Sequence, residues 1–353
     1  MTQVWQMAAG EKCRDYRNLF LEHDVMFMGP GRYGNYNDFT EDYKKVHQVH
    51  SFVKNVKKED IVLLRFGYRV EAIGLVADDN YLWNDTFDDV FGWDLQHTRR
   101  VIWHLVEELR QIQKKEDEEL FAKRKQIPTF TAVKDSAILD RVKHLFKHCK
   151  TRPLKAMPAE LPKPLKLDAL GEKLFAKGLP NEAVDKVILA IQRQRRLANW
   201  YEEHGENSER PTEHEAVAHM ILPLLLALGW SEQLLAVEWH KIDLAAFWDT
   251  PTTKENCCLL FEAKRLGHGL QNIFKQATHY VETCELNECK KIVLTDGIRL
   301  YMYQKQTDGK WKDEAVGYLN IKSIRTNHIA PKGTNAVDTI IALTPAGINR
   351  ELA

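Results

Sequence analysis

Apolar positions recur along this chain with two periods, and where the period changes the chain changes character. In the first third the runs are short. Gln3–Ala8, Val25–Met28, Ile61–Phe66 and Val70–Ala77 read as strands, the last two as a hairpin around Gly67, and QHTRRVIW (96–103) reads as a return strand. Helices are expected from about Cys13 to Leu21 and from Phe39 to Val53, with a long polar helix running on to about Lys125. In the middle the period lengthens. Ile138, Val142, Leu145 and Phe146 fall on one helical face, and Val184, Val187, Ile188 and Ile191 fall on one face of a second helix from Asn181 to Tyr201. Between them Pro153, Pro158, Pro162 and Pro164 predict an extended connector. In the last third short strands return: Leu234–Glu238, Ile242–Phe247 and Cys257–Glu262, then Lys291–Thr295 and Ile298–Tyr303 as a hairpin around Asp296-Gly297. Trp311–Ile324 predicts a further strand and turn, and the apolar run TIIALTPAG near the end has no evident place.

These changes predict an α+β chain of four segments: a small β domain over 1–125, a basic helical connector over 126–205, a mixed domain over 206–330, and a tail over 331–353. With 353 residues, 44% of them hydrophobic, there is enough apolar material for more than one core. Lys and Arg number 50, as do Asp and Glu, so the whole-chain charge points to no partner. Its distribution does: the net charge is −3 over 1–125, +8 over 126–200 and −5 over 201–353. The middle is therefore the segment suited to phosphate, or else simply a basic connector. The six cysteines form no C-x-x-C pair and no zinc spacing with histidine. No window approaches a membrane span and the first residues do not read as a leader, so a reducing, cytoplasmic setting and no membrane partner are expected. The glycine-rich GPGRYGNYND (29–38) is not followed by Gly-Lys-Ser/Thr and is not a nucleotide loop.

Candidate chemistry gathers in the 242–264 hairpin. Asp243 begins one strand, and Glu262 and Lys264 close the next on a shared face, because strand side chains alternate. Two carboxylates and an ammonium would then meet at one end of a sheet. Carboxylates are the ligands Mg²⁺ prefers, and Mg²⁺ completes its shell with water and substrate phosphate. Taken alone, Glu262 and Lys264 read rather as an ordinary solvated strand end.

In order, Asp243, Glu262-Ala263-Lys264 and Gln276–Tyr280 (QATHY) resemble the PD-(D/E)XK nuclease superfamily, and within it the nuclease domain of type I restriction motor subunits. The likeness spans about Pro211 to Gln304 and includes Glu213-His214-Glu215, PLLLALGW and KIVLTDGIRLYMY. It implies a restriction-endonuclease-like α/β/α domain that hydrolyses DNA with Mg²⁺ or, in substitution, Mn²⁺. Asp243, Glu262 and the Ala263 carbonyl would hold the metal, Lys264 would be the catalytic lysine, and Glu215, Gln276 and Tyr280 would support the site. Ile242 departs from the motif's proline without removing a ligand. Such domains often work in pairs, so a homodimer is compatible with the resemblance.

Residues 1–105 resemble, more softly, the PUA-like group of small β-barrels, which includes EVE-type readers of modified bases. That likeness implies an aromatic pocket for a flipped base, such as a modified cytosine, with Trp5, Tyr33, Trp83 and Trp93 as walls and Asp94 or Asn84 as polar readers. Trp103 reads as core. Two rival functions stay open: a DNA-binding regulator whose nuclease fold is inactive, and a nuclease triggered by a small molecule or partner protein.

Overall fold

The computed structural model describes residues 2–11, 14–38, 41, 46–67, 69–105, 128–147, 149, 152–204, 211–270, 272–350 and 352. The chain is α+β and divides into two compact units, Met1–Glu160 and Leu161–Ala353. The segment 126–205 is shared between them, its first helix in the former and its second in the latter. The polar helix expected up to Lys125 lies outside the described residues, as do parts of the helices expected near Cys13 and Phe39. Among the described residues no helix is long and apolar enough to cross a membrane.

The first unit is built on strands β1 (Val4–Ala8), β2 (Gly10–Glu11), β3 (Arg14–Asp15), β4 (Val25–Met28), β5 (Ile61–Phe66), β6 (Arg69–Val76), β7 (Leu82–Trp83), β8 (His97–Leu105) and β9 (Phe130–Ala132). Seven of them form a curled half-barrel in the order β4-β8-β6-β5-β1-β9, with β7 also on β8. Only β1 and β5 run parallel. Among the described residues β4 and β9 are the open ends of this curved sheet, where the PUA-like resemblance implies a barrel. Alternation assigns the faces. Val4, Ile61, Leu63 and Ile73 meet Ile138, Val142 and Leu145 of helix Ser136–Phe146, whose first amides are capped by Asp135. On β1 the neighbouring residue, Trp5, stacks on Phe130 at 5.0 Å. Gly74 is required where β6 meets β8, since a Cβ there would lie 2.3 Å from Val101 and 2.6 Å from the Trp103 ring.

A buried carboxylate ties the end of this unit to its beginning. Asp24 closes helix Arg17–His23 in the left-handed conformation (φ 47°) and is fully buried. Arg152 grips it with two nitrogens at 2.5 and 2.6 Å, and the Lys155 and Trp103 amides donate to it as well. Burial pushes the Asp24 carboxyl up, but Arg152 and the two amides outweigh that and hold it below the usual carboxylate range.

In the second unit strands β10 (Leu235–Trp239), β11 (Ile242–Phe247), β12 (Cys257–Ala263), β13 (Lys291–Thr295), β14 (Arg299–Gln304) and β15 (Gly317–Asn320) form one sheet in sequence order. Only β12 and β13 are parallel, joined through helix Phe274–Thr283. Helix Asn181–His204 buries Val184, Val187, Ile191 and Ala198 in the same core as the helical stretch Glu213–Ala227. That stretch widens to a π turn over Val217–Ile221, just ahead of Pro223, which has no amide hydrogen to give. The Gln194 side chain donates to the Met220 carbonyl exposed there, at 2.7 Å. The unplaced run TIIALTPAG forms the end of helix Ala336–Ala342, whose Ile340, Ile341 and Ala342 enter this unit's core, and the turn Pro345–Gly347 that follows it. The fully buried Lys291 amine donates to the carbonyls of Ala342, Gly347 and Arg350 at 3.4, 3.0 and 2.9 Å, and burial brings its pKa down to about 8.

Two buried histidines, one in each unit, also bear on stability. His97 lies between the Tyr81 hydroxyl and the Pro30 carbonyl, and His328 faces Thr334. Burial lowers both to about 4. Between pH 6.5 and 4 the unfolded chain therefore binds protons that the folded chain refuses. Stability is complete above pH 6.5 and falls as pH drops toward 4, by up to about 3 kcal/mol per histidine. Thermal melts should lose roughly 5–10 °C between pH 7 and pH 4.5. His328→Gln should flatten that slope, and an unchanged slope would show that this ring is not the proton acceptor.

Candidate active site

Antiparallel pairing of β11 and β12 sets Leu244 opposite Phe261, one step inward from Asp243 and Glu262, and so brings both acids to one end of the sheet. The Ala263 amide donates to Asp243 Oδ2 at 2.6 Å. On the other side, β13 holds the end of β12 through Glu262 opposite Leu294, Ala263 opposite Thr295, and the Lys264 amide on the Thr295 carbonyl at 2.7 Å.

The Lys264 ammonium donates to Glu262 Oε1 and to the Ala263 carbonyl, both at 2.8 Å, and Glu213 Oε2 stands 3.8 Å away. Gln276 completes the group, donating from Nε2 to Glu262 Oε1 at 2.8 Å and to the Tyr280 hydroxyl at 3.0 Å. The i, i+4 spacing of Gln276 and Tyr280 on the helix makes that shared contact. Asp243, Glu262, Ala263, Lys264, Gln276 and Tyr280 are thus in one constellation.

Glu262 is 2% exposed, and its second oxygen, Oε2, is buried with no hydrogen-bond partner among the described residues. Burial raises the Glu262 carboxyl, and Asp243 and Glu213 add to the rise against Lys264. Burial likewise raises Asp243. For Lys264 burial works downward, but the bond to Glu262 and the charges of Glu262, Glu213 and Asp243 leave it raised. The lysine is therefore held as an ammonium, a donor.

Glu215 is placed elsewhere. Its Oε2 accepts from the Thr212 amide and hydroxyl at 2.7 and 3.0 Å while Thr212 Oγ1 accepts from the Glu215 amide, a complete capping box. The order Thr212-Glu213-His214-Glu215 carries the T-x-x-E signature of that box, so the sequence contained the signal. The acid of this helix that approaches Lys264 is Glu213. His214 reaches sideways to Glu238 at 2.7 Å. Asp296 is a further residue that pattern alone reads only as a turn former. Its Oδ1 accepts from the Ile298 and Arg299 amides and its Oδ2 from the Gly267 amide at 3.0 Å, so it anchors the loop that leaves Lys264.

The residues can hold a divalent cation. Glu262 Oε2 is a buried carboxylate oxygen without a donor among the described residues, Asp243 lies at the same end of the sheet, and the Ala263 carbonyl follows Glu262 directly in sequence. This is an oxygen-only donor set of the kind Mg²⁺ takes. Among the described residues no group of three or more His, Cys, Asp or Glu side chains is disposed to hold a metal, so two carboxylates and a carbonyl are the donors available.

In the first unit the glycine-rich loop presses on the segment between β7 and β8. The Gly31 amide donates to the Asp94 carbonyl at 3.0 Å, and a Cβ at Gly31 would collide with Gln96 Oε1. Trp83 meets His97 edge to face at 5.2 Å, and its indole N–H bonds Asp85. Pro30, Trp83, Asp94, Gln96 and His97 are thereby gathered, with Tyr33 on the same loop. Gln96 Oε1 is buried without a hydrogen-bond partner. Asn84 uses its side chain to cap the turn Asp85–Phe87. Trp93 lies under the Arg14 guanidinium at 3.7 Å. Trp5 is apart from the cluster: it is 5% exposed, stacked on Phe130, and its N–H bonds Asp60 at 2.8 Å. Trp103 is 3% exposed and core.

The model of a family described as a domain of unknown function (DUF8426) matches residues 5–126. No curated protein matches the chain.

Proposed function

We propose that this chain is a Mg²⁺-dependent DNA endonuclease of a restriction or anti-phage defence system, in which the second unit is a PD-(D/E)XK nuclease domain and the first a PUA-like reader that selects the DNA. The observation that carries the reading is the state of Glu262, a buried carboxylate with one oxygen fixed by Lys264 and Gln276 and the other left without a donor. A carboxylate in that state is costly to a fold and useful to a cation.

Asp243, Glu262 and the Ala263 carbonyl would hold the ion. Once bound, it supplies positive charge to the scissile phosphate and makes a water acidic enough to attack. The chain's own residues do the rest. Lys264, an ammonium among three acids, donates to a phosphate oxygen as charge builds there and keeps the water on line. Gln276 and Tyr280 fix the Glu262 carboxylate so that its free oxygen points one way. Asp296, through Gly267, holds the loop beyond Lys264 in place. In the first unit, the gathering of Trp83, Asp94 and Gln96 against Pro30-Gly31 supports a base-sized polar and aromatic recess, with Tyr33 at its rim.

The test is cleavage, with Mg²⁺ or Mn²⁺, of matched DNAs that are plain or carry methylated or hydroxymethylated cytosine, with Lys264→Ala alongside. Cutting of modified DNA alone, lost in the variant, is the expected result. Cutting of every DNA would retain the nuclease and remove the reader. Cutting that survives in Lys264→Ala would remove the catalytic assignment, and no cutting of any DNA would leave a binding protein or one that needs a trigger.

A further inference from the structure

Helix Asn181–His204 carries three arginines near its end, and the structure separates them. Arg195 turns inward, donating from Nε to the Ile321 carbonyl at 2.6 Å. Arg193 and Arg196 are exposed, and no acid among the described residues pairs with either. They share their face with two unusually exposed apolar side chains, Leu189 at 63% and Trp200 at 54%. At 100° per residue, positions 189, 193, 196 and 200 fall within about 60° of one another, opposite the buried Val184, Val187, Ile191 and Ala198. The result is a straight stripe about 16 Å long, at 1.5 Å per residue, in the order Leu, Arg, Arg, Trp.

The stripe has a direction. Gln194 sits beside the Met220 carbonyl, and Tyr201 is close enough to Glu215 for that carboxylate to raise its phenol, after burial. The Trp200 end is therefore level with the start of the Glu213 helix, whose first acid approaches Lys264. Trp200 itself is stacked on His204 at 5.4 Å, which fixes its ring as an exposed platform.

Resting on the nuclease reading above, we infer that this stripe is the track along which a nucleic-acid strand reaches the site, with phosphates on Arg193 and Arg196 and an unstacked base on Trp200. Two unpaired guanidinium groups flanked by an aromatic ring match the repeating chemistry of a single strand: an anion at every step and a flat face between. Exposed Asp185 and Glu203 lie on the same face beyond the two ends of the stripe, so the positive charge is confined to its centre, where Arg193 and Arg196 complement a polyanion.

The experiment is fluorescence anisotropy of a labelled duplex with a single-stranded tail, in EDTA so that nothing is cut, using the full chain. Arg193→Gln with Arg196→Gln is expected to weaken binding about tenfold at moderate salt and to flatten the salt dependence by roughly two ions. Trp200→Ala should weaken it at least fivefold, with Trp200→Phe recovering most of the loss. Circular dichroism should show all of these surface variants folded, and Lys163→Gln, an exposed lysine of the same unit off this helix, serves as the control for charge alone. Equal affinity and equal salt slope across the set overturn the track, and so does a parent protein that does not bind the tailed duplex. The nuclease reading stands or falls separately. A parent that binds through the stripe but never cuts refutes that reading and keeps this one. A parent that cuts, with stripe variants of unchanged affinity, does the reverse.

Discussion

Glu262→Gln is expected to remain folded, to melt at or a few degrees above the parent in the absence of metal, and to cut DNA roughly 10³-fold more slowly. The parent carboxylate is buried among the like charges of Asp243 and Glu213, and one of its oxygens has no donor. An amide of the same shape keeps an oxygen for Lys264 and Gln276, puts a donor where the orphan oxygen was, and removes one of three neighbouring negative charges. Relief of about 1 kcal/mol corresponds to roughly 2–4 °C for a domain of this size. Lys264→Ala should act oppositely on stability, because it leaves Asp243, Glu262 and Glu213 without their shared cation; a loss of about 2 kcal/mol is expected, together with the loss of cutting. Calorimetry and cleavage assays on the two variants check this together. If Glu262→Gln melted well below the parent, the carboxylate would be a structural element and the active-site reading would lose its main support.

Asp24→Ala should destabilise the first unit by about 3–4 kcal/mol at neutral pH. Arg152 would lose both of its short contacts, the Lys155 and Trp103 amides would lose an acceptor, and alanine would have to adopt the left-handed conformation that aspartate tolerates better. Asp24→Asn keeps the shape and the backbone preference and loses only charge, so about half that effect is expected. The sign with pH follows from the depressed carboxyl: the stabilisation is present above the unfolded value near 3.8 and is lost as pH falls through the folded one. Urea unfolding followed by tryptophan fluorescence measures the effect. Adding Arg152→Met to Asp24→Asn should recover part of the loss, since no half-buried cation then faces a neutral amide in place of its carboxylate, and strict additivity of the two changes would contradict the pairing.

Much of this architecture was legible before any coordinates. Short alternating runs bounded by Gly, Pro and Asp became strands nearly at their expected limits, because period-two patterning and turn chemistry are local. Ile138–Phe146 and Asn181–His204 were equally plain, since their apolar spacing is helical over several turns. The less legible features depend on partners distant in sequence. Whether Arg195 or Arg193 points outward depends on the Ile321 carbonyl more than a hundred residues away. TIIALTPAG has no periodicity long enough to identify it, and its place is explained by the core that Ile340 and Ile341 enter and by the carbonyls that meet Lys291. The open half-barrel could not be told from a closed barrel, because closure depends on how strand edges meet. In the site, hairpin register made Asp243, Glu262 and Lys264 readable together. Glu215 and Glu213 were exchanged because spacing along a helix start does not say which acid folds back to cap it, although the T-x-x-E order did.

Lys291 begins the strand that holds the end of β12, and its amine is satisfied by carbonyls of residues 342, 347 and 350. A chain cut short before those residues would leave a buried amine without acceptors beside the strand that supports Lys264. The pairing of β13 with the end of β12 therefore depends on contacts made by residues some fifty positions further along the chain. Fragments lacking residues 342–350 would then be poorly assembled around Asp243, Glu262 and Lys264, so this segment acts as a lock on the finished arrangement.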